Sequence, residues 1–302
     1  MRLGFVSAIL PDFSLEEVFH FAADEGFGCV EVMCWPPGKA DRRYAGVTHL
    51  DVTTLDDKRI AAVQELVKKT GVVISGLGYY PNPLHPDPEH RSRVIEHLKR
   101  VVSAAPRLGV RTVNTFVGRD PKKSVPENWP LFLETWPGIV EHAEREGVSL
   151  GIENCPMLFS HDEWPGGANL ATTPAIWQAM FDAIPSPHFG LNFDPSHLVW
   201  QHIDHVRAVR DFGKKIVHFH AKDTRVDGDR IYADGIMGLG WHTPKIPGLG
   251  DVQWGPLFSA LTDAGYDGPV CIEVEDRAYE GSLEDRKRSL RQSKRFLEQF
   301  VV

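Results

Sequence analysis

Short apolar runs alternate with longer amphipathic stretches along the whole chain. Apolar runs of roughly four to eight residues between turn signals are typical of strands that are buried on both faces, as in a parallel sheet. Apolar residues at helical spacing predict the helices between them. The predicted strands are 3–8, 29–33, 72–78, 112–117, 148–154, 189–194, 216–222 and 269–275. The predicted helices are 14–25, 55–70, 88–108, 130–146, 174–183, 204–212, 252–264 and 284–300.

Several predicted helices end in a glycine that leads into the next strand, namely Gly26, Gly71, Gly109, Gly147 and Gly265. Glycine is the usual residue just beyond a helix because it adopts the left-handed conformation without strain. Strand and helix therefore alternate from one end of the chain to the other, with no linker between them. The sequence predicts an α/β fold, a single (β/α)₈-barrel domain over residues 1–302.

Three long stretches without clear periodicity each follow a predicted strand: 35–54, 155–173 and 224–250. In a barrel of parallel strands, the loops after the strands lie at the carboxyl face and form the active site. We therefore expect the functional residues at the ends of the strands and in these three loops.

Composition and charge exclude several classes of protein. Of the 302 residues, 42% are hydrophobic and 25% are charged, which suits a soluble domain with a large core. The formal net charge of −8 and the lack of a basic run argue against nucleic acid as a partner, since phosphate binding needs clustered Lys and Arg. No stretch approaches the ~20 apolar residues of a membrane span, and the N-terminus has no signal-peptide pattern. The four cysteines lack C-x-x-C spacing, so we expect a reduced, cytoplasmic protein.

The last four predicted strands each end in side chains that can bind a metal ion. The candidates are Glu153, Asp194, His218 or His220, and Glu273 or Glu275. Residues two apart on a strand face the same side, so spacing does not choose within the last two pairs. The ends of neighbouring barrel strands converge, and one side chain from each strand could therefore meet at a single ion.

Burial strengthens this hypothesis for the glutamates. Glu153 and Glu273 lie within apolar strands, where an unpaired carboxylate is costly. A metal ion, or a Lys or Arg partner inside the barrel, makes such a placement tolerable. Three carboxylates and one histidine form an oxygen-rich site, which favours Mn²⁺, with Mg²⁺, Co²⁺ or Zn²⁺ as alternatives. Each candidate ligand also has a purely structural interpretation: the glutamates could form ion pairs, Asp194-Pro195 could begin a turn, and the histidine could belong to the core.

Several motifs resemble those of the sugar phosphate isomerase/epimerase family, the xylose-isomerase-like TIM barrels that include ketose 3-epimerases and inosose dehydratases. They are Gly-Ile-Glu153-Asn154, Asp194-Pro-Ser-His197, His218-Phe-His220-Ala-Lys222-Asp223, Ile-Glu273-Val-Glu275-Asp276 and the loop Pro247-Gly-Leu-Gly-Asp-Val-Gln-Trp254. The resemblance covers essentially the whole chain.

The resemblance implies roles for particular residues. It makes Glu153, Asp194, His220 and Glu273 the metal ligands, and so selects the second histidine and the first glutamate of their pairs. His197 matches a residue that touches substrate near the metal. Ketose epimerases have a substrate-binding arginine six residues after the histidine ligand, whereas this chain has Val226 there, with Arg225 beside it.

Six residues are our candidates for substrate binding: His197, Lys222, Arg225, His218, Glu31 and Trp35. Each also has a structural interpretation. Lys222 could pair with Asp223, His218 could be a core histidine, and Glu31 could belong to a buried ion pair. Trp35 could simply pack against its neighbours, although a tryptophan on a strand-end loop also suits stacking against a sugar ring.

Two glutamates beside a metal indicate proton transfer at the carbon next to a carbonyl, with Glu153 and Glu273 as base and acid. The predicted enzyme is a divalent-metal-dependent isomerase or epimerase of a sugar or sugar-like hydroxy-carbonyl compound. The alternative is a lyase, a dehydratase or an enzyme that cleaves 3-keto-glycosides, through the same enolate. A phosphodiesterase like endonuclease IV and a non-catalytic binding barrel fit less well. We expect a small carbohydrate or cyclitol partner, and a homo-oligomer is compatible with the sequence.

Overall fold

Eight parallel strands close into a barrel in the computed structural model, which describes residues 1–38, 44–156, 167–236, 238 and 240–301. Around the barrel, the strands follow the order β1, β10, β7, β6, β5, β4, β3, β2. The barrel strands are β1 (Arg2–Val6), β2 (Cys29–Met33), β3 (Val73–Gly78), β4 (Thr112–Thr115), β5 (Ser149–Glu153), β6 (Phe189–Phe193), β7 (Ile216–Ala221) and β10 (Pro269–Ile272). The predicted barrel fold is confirmed.

Helices connect successive barrel strands. They are α1 (Leu15–Asp24), α2 (Asp57–Thr70), α3 (Pro88–Arg107), α4 (Val125–Glu146), α5 (Pro174–Ala183), α6 (Ser196–Val199), α7 (His205–Phe212), α8 (Gly228–Asp234), α9 (Trp254–Asp263) and α10 (Leu283–Leu297). The glycines predicted to end helices at 26, 71, 109, 147 and 265 all have φ between 66° and 77°. This left-handed conformation is strained for other residues, so glycine ends these helices at low cost.

Helix α4 begins earlier than residue 130, where the sequence pattern placed its start. Ser124 and Glu127 form a reciprocal capping box, and Pro126 lies in the first turn. Such a box satisfies backbone N–H groups that would otherwise lack partners at the start of a helix. The helix therefore begins at Val125 and continues through Pro130 and Pro137.

The 224–250 stretch, which we expected to be irregular, contains regular structure. Strands β8 (Asp223–Val226) and β9 (His242–Lys245) pair antiparallel, with Asp223 opposite Lys245, and α8 lies between them. Four residues on each side are too few to show a period in the sequence, and their pairing partners are distant along the chain. The 155–173 stretch falls partly outside the described residues.

The core lies between the barrel and its helices. Large side chains such as Phe5, Phe19, Trp136 and Phe189 are fully buried there, and the Trp136 and Phe189 rings lie 5.6 Å apart. Inside the barrel the side chains are more polar, and Gly151 makes room for Asn114: a Cβ at 151 would lie 2.3 Å from the Asn114 Oδ1. None of the helices in the described ranges has the length and apolarity needed to cross a membrane.

Candidate metal and substrate site

Four side chains predicted as metal ligands lie together at the carboxyl ends of β5, β6, β7 and β10. One donor atom from each of Glu153, Asp194, His220 and Glu273 lies within 4.8 Å of the others. Glu153, Asp194 and His220 are buried, and the Glu273 side chain is 21% exposed. Asp194 and Glu273 come directly after their strands, which end at Phe193 and Ile272 rather than including them. The site therefore lies at the barrel mouth, within reach of solvent on the Glu273 side.

Glu31 and Tyr80 contact one nitrogen of the His220 ring and fix the orientation of the ring. Its Nε2 lies 2.6 Å from the Glu31 Oε2 and 3.3 Å from the Tyr80 hydroxyl, and Tyr80 also donates to Glu31. An N–H at Nε2 that donates to Glu31 leaves the lone pair on Nδ1. That Nδ1 lies 3.4 Å from the Glu273 Oε2 and 3.9 Å from the Glu153 Oε1. Burial opposes the charged ring, yet the charges of Glu31 and Glu273 raise the pKa of His220 well above its ordinary value, so a metal ion at Nδ1 would displace the second proton.

The backbone of Asp194 is held by the side chain of Asn154. The Asn154 Oδ1 accepts from the Asp194 N–H at 2.8 Å, and the Asn154 Nδ2 donates to the Asp194 carbonyl at 2.8 Å. The Asp194 Oδ1 accepts from the backbone N–H of Ser196 at 2.8 Å, which leaves the Oδ2 for the cluster. Two hydrogen bonds thus join the Glu-Asn and Asp-Pro-Ser motifs, and a third within Asp-Pro-Ser orients the Asp194 carboxylate.

The residues present fit a divalent metal ion. The Asp194 Oδ2 and the His220 Nδ1 are both buried and make no hydrogen bond within the described part of the chain. The Asp194 Oδ2 does have an ion pair with the Lys222 Nζ at 3.0 Å. A buried polar atom without a hydrogen bond is costly, and a divalent cation between these two atoms would satisfy the His220 Nδ1 and bind the Asp194 Oδ2 as well. Three carboxylates with one imidazole are donors that suit Mn²⁺, Mg²⁺, Co²⁺ or Zn²⁺.

His197 also points into the cluster. Its Nε2 lies 3.4 Å from the Asp194 Oδ2 and 3.5 Å from the Glu153 Oε1, and it makes no hydrogen bond to described residues. The indole N–H of Trp200 donates weakly to the Nδ1 at 3.4 Å. This tautomer places a proton on Nε2, so His197 presents a donor, rather than a lone pair, to whatever lies beside the carboxylates.

Lys222 lies among the acidic groups and not beside Asp223. Its Nζ is 2.7 Å from the Glu273 Oε2, 3.0 Å from the Asp194 Oδ2 and 3.1 Å from the Glu275 Oε2. Asp223 instead accepts hydrogen bonds from the indole of Trp254 and from the backbone N–H groups of Thr224, Gly248 and Val252. Asp223 thereby anchors the 247–254 loop, and Lys222 is a cation of the site itself.

Two of the predicted substrate contacts lie beneath the site, away from the cavity. Glu31 and His218 are both fully buried. The His218 Nδ1 donates to the Asn192 Oδ1 at 3.0 Å, and its Nε2 accepts from the Ser75 hydroxyl at 3.2 Å. Burial lowers the pKa of His218 to about 4, so its ring is neutral. The structure therefore places both residues where they support His220, directly or through Asn192.

A cavity opens above the cluster with two different walls. Its aromatic and apolar wall comprises Val6, Ala8, Met33, Trp35, Tyr44, Tyr80 and Phe116. Its polar wall comprises Glu153, Cys155, Lys222, Glu273 and Glu275. Trp35 is therefore at the predicted place. Glu275, the alternative to Glu273 in the sequence analysis, lines the cavity wall, whereas the sequence carries no signal for Tyr44 or Phe116.

Arg225 does not join this cavity. It is exposed and lies on β8, where it pairs with Thr243 of β9. Strand β8 carries the chain away from the barrel, because residues 223–226 pair with 242–245 and not with a barrel strand. Arg225 is therefore not positioned to replace the arginine that the resemblance leads one to expect near residue 226.

Replacing Glu31 with glutamine is expected to weaken binding of a divalent ion by about 10- to 100-fold, the usual effect of removing a carboxylate behind a ligating histidine. The physical reason is that a neutral amide holds the His220 ring and its Nε2 proton less firmly. Chelator competition with Mn²⁺ would measure the dissociation constant.

The matched control for Glu31→Gln is His218→Gln, because His218 is equally buried and lies 3.7 Å from the Glu31 Oε2 through its Nδ1. We expect a smaller effect there, since the His218 ring has no contact with the ligand atoms. Equal losses of affinity in the two variants would contradict a specific role for Glu31.

Closed α/β barrels with carboxylates and a histidine at the carboxyl ends of the strands form a large class of enzymes. The sequence pattern described as "Xylose isomerase-like TIM barrel" matches residues 19–300, and the chain belongs to that family.

Among curated proteins, the uncharacterized protein YfiH of Bacillus subtilis is 25% identical over 300 residues, 91% of this chain and 93% of that protein. An inosose dehydratase of Clostridium tetani is 29% identical over 156 residues, but this match covers only 49% of this chain and 50% of that protein.

Two solved structures share the fold. A D-psicose 3-epimerase, crystallised in the presence of D-fructose, superposes with a TM-score of 0.73 at 18% identity, covering 100% of this chain and 99% of that one. The IolI protein with a bound zinc atom superposes with a TM-score of 0.74 at 17% identity, covering 100% of this chain and 98% of that one.

Proposed function

We propose that the protein is a divalent-metal-dependent isomerase or epimerase of a sugar or cyclitol-like hydroxy-carbonyl compound. The observation that carries this proposal is the placement of two glutamates on either side of the His220 Nδ1, at 3.4 and 3.9 Å. Glu153 is the last residue of β5 and Glu273 follows β10, and two further strands separate β5 from β10 in the barrel. Their carboxylates therefore approach a substrate from different sides.

Two of the four residues that would hold the ion also transfer protons. Glu153, Asp194, His220 and Glu273 would hold the ion, which when bound polarises a carbonyl and stabilises an enolate. One glutamate removes the proton from the carbon next to the carbonyl, and the other returns a proton to the opposite face or to the neighbouring carbon. The His197 Nε2–H donates to a substrate oxygen beside Asp194. Trp35 and Tyr80 on the opposite wall exclude water and pack against the carbon skeleton.

The identity of the divalent ion is also proposed, with Mn²⁺ as the expected ion. The donor set is rich in oxygen, which favours Mn²⁺, while the zinc in the IolI structure supports the general expectation of one divalent ion. Metal content of protein grown without supplements, measured by mass spectrometry, identifies the ion.

The charges around the cavity favour a neutral substrate. Glu153, Glu273 and Glu275 line its polar wall, against the single ammonium of Lys222 among the described lining residues. Lys222 is already paired with three carboxylates, and Arg225 points elsewhere. A phosphate would therefore meet negative charge without a free cation, so we propose an unphosphorylated ketose, cyclitol or keto-glycoside.

A lyase is the second candidate. The inosose dehydratases among the relatives support it, as does the missing epimerase arginine at Val226. A leaving group β to the carbonyl would be expelled from the same enolate, with Glu153 or Glu273 as the acid.

We also propose the type of partner and the cellular compartment of the enzyme. A net charge of −8 and the acidic mouth favour a small-molecule partner over nucleic acid. The four cysteines are free thiols, which suits the cytoplasm. Sedimentation analysis would show whether a homo-oligomer forms.

Incubation in D₂O with ketoses, inososes and 3-keto-glycosides tests the shared chemistry. We expect deuterium at the carbon next to the carbonyl of a recovered substrate or product, because a carboxylic acid exchanges its proton with solvent between the two half-reactions. An epimer or an aldose–ketose pair supports the isomerase, and an unsaturated ketone or a released aglycone supports the lyase. Turnover of a phosphodiester, with no action on any carbonyl compound, would overturn the proposal.

A further inference from the structure

The ammonium of Lys222 is enclosed by the same carboxylates that would hold the metal ion. The side chain is 3% exposed, and its Nζ contacts Glu273, Asp194 and Glu275 at 2.7, 3.0 and 3.1 Å. Three carboxylate oxygens surround the ammonium and balance its charge, so the site has a monovalent cation of its own.

Two of its three partners belong to the proposed ligand set, and the third does not. The Asp194 Oδ2 faces both the ammonium and the ligand cluster, and the Glu273 Oε2 lies between the ammonium and the His220 Nδ1. Glu275 lies at the cavity wall and is absent from the cluster of ligand atoms. An ion bound to Asp194 and Glu273 would lie close to a like charge, which is unfavourable in a site of low dielectric constant.

We propose that Lys222 sets how tightly the site holds its divalent ion, and that Glu275 draws the ammonium away from Asp194 and Glu273. This inference rests on the ligand assignment of the proposed function. Lys222 balances the closely spaced carboxylates, so the barrel mouth is stable before an ion binds. Its charge also weakens ion binding, which keeps the ion exchangeable in spite of three carboxylate ligands.

Lys222→Met tests the proposal because methionine keeps much of the length and removes the charge. We expect the dissociation constant for Mn²⁺, measured by chelator competition, to fall by about tenfold or more. The melting temperature in excess chelator should fall at the same time, because the carboxylates lose their balancing charge. If Lys222 had only a structural role, Lys222→Met would lower the melting temperature without increasing the affinity for Mn²⁺.

Glu275→Gln should change the affinity in the opposite direction. Without Glu275, the ammonium is held by Asp194 and Glu273 alone and competes more strongly for them, so Mn²⁺ binds more weakly. In the Lys222→Met background, the same substitution should have a smaller effect, because Glu275 acts through the ammonium. A double-mutant cycle measures this coupling.

Lys245→Met is the matched control. Lys245 also pairs with a buried carboxylate, that of Asp276, at 3.2 and 3.4 Å, but neither residue belongs to the ligand cluster. We expect its Mn²⁺ affinity to equal that of the wild type. If Lys222→Met does not fold in chelator, the rate of ion release from protein loaded during expression supplies the comparison, and slower release supports the proposal.

An unchanged or weaker Mn²⁺ affinity in Lys222→Met would overturn the proposal for Lys222, provided that the wild type binds the ion. A wild-type protein that binds no divalent ion would instead overturn the ligand assignment. The two failures are therefore separate results of one titration, and neither requires a substrate.

Discussion

Glu153→Gln and Glu273→Gln are each expected to lower kcat on the cognate hydroxy-carbonyl substrate by about 10²- to 10⁴-fold at saturating metal, the usual contribution of a positioned acid or base. Glutamine keeps the size and one oxygen of the side chain but does not carry the proton. The steady-state rate should be measured for protein whose metal content has been verified, because both glutamates are also proposed ligands.

Deuterium exchange separates the two roles. The variant that lacks the residue for the first proton transfer should lose exchange together with turnover. The variant that lacks only the returning acid should retain partial exchange into the substrate. Glu25→Gln is the matched control, since the Glu25 side chain is 24% exposed, close to the 21% of Glu273, and pairs with Arg291 outside the cavity lining and the ligand cluster. If Glu153→Gln and Glu273→Gln both kept kcat within tenfold of the wild type, proton transfer by these glutamates would be excluded.

Asp194→Asn is expected to remove tight binding of the divalent ion, with an increase of about 100-fold or more in its dissociation constant. The asparagine Oδ1 can still accept from the Ser196 N–H, which the Asp194 Oδ1 does at 2.8 Å. The amide NH₂ then replaces the Oδ2, the buried oxygen that makes no hydrogen bond in the described structure. The substitution thus removes a proposed ligand oxygen and preserves the local backbone.

Thermal unfolding with and without Mn²⁺ measures the expected loss of ion binding in Asp194→Asn. At a concentration of about 100 times the dissociation constant, the ion should stabilise the wild type by roughly 2.7 kcal/mol and the variant far less. Asp276→Asn is the control, because Asp276 is an equally buried aspartate that pairs with Lys245 and lies outside the cluster. If Asp194→Asn retained the full metal-induced stabilisation, the ion would have to bind elsewhere.

Local patterns predicted the barrel well. The left-handed glycines at 71 and 147 end helices where the sequence placed them, and the apolar runs became barrel strands within a few residues at each end. These features are local, because helix ends and buried strands depend on residues close together in the chain. The start of α4 was predicted too late because Pro130 is a weaker signal than the Ser124–Glu127 capping box.

Sequence spacing is not sufficient to decide whether His218 or His220 is the candidate ligand. Both residues face the barrel interior on β7, and a period of two residues does not distinguish them. Their partners do: His218 is bonded through both nitrogens to Asn192 and Ser75, whereas the His220 Nδ1 faces Glu153 and Glu273. Those partners lie on three other strands and directly after a fourth, so the distinction depends on the register of the barrel.

The sequence by itself determined the class of fold, the carboxyl face as the place of the site and the set of candidate ligands. The tertiary structure alone decided the partners of Lys222, Glu31 and Arg225. Lys222 lies between β7 and β8, and its ammonium reaches the carboxylates that follow β6 and β10 rather than that of Asp223. Such contacts join residues up to 189 positions apart, as between Glu31 and His220. They depend on how the barrel closes, and no local pattern in the chain encodes them.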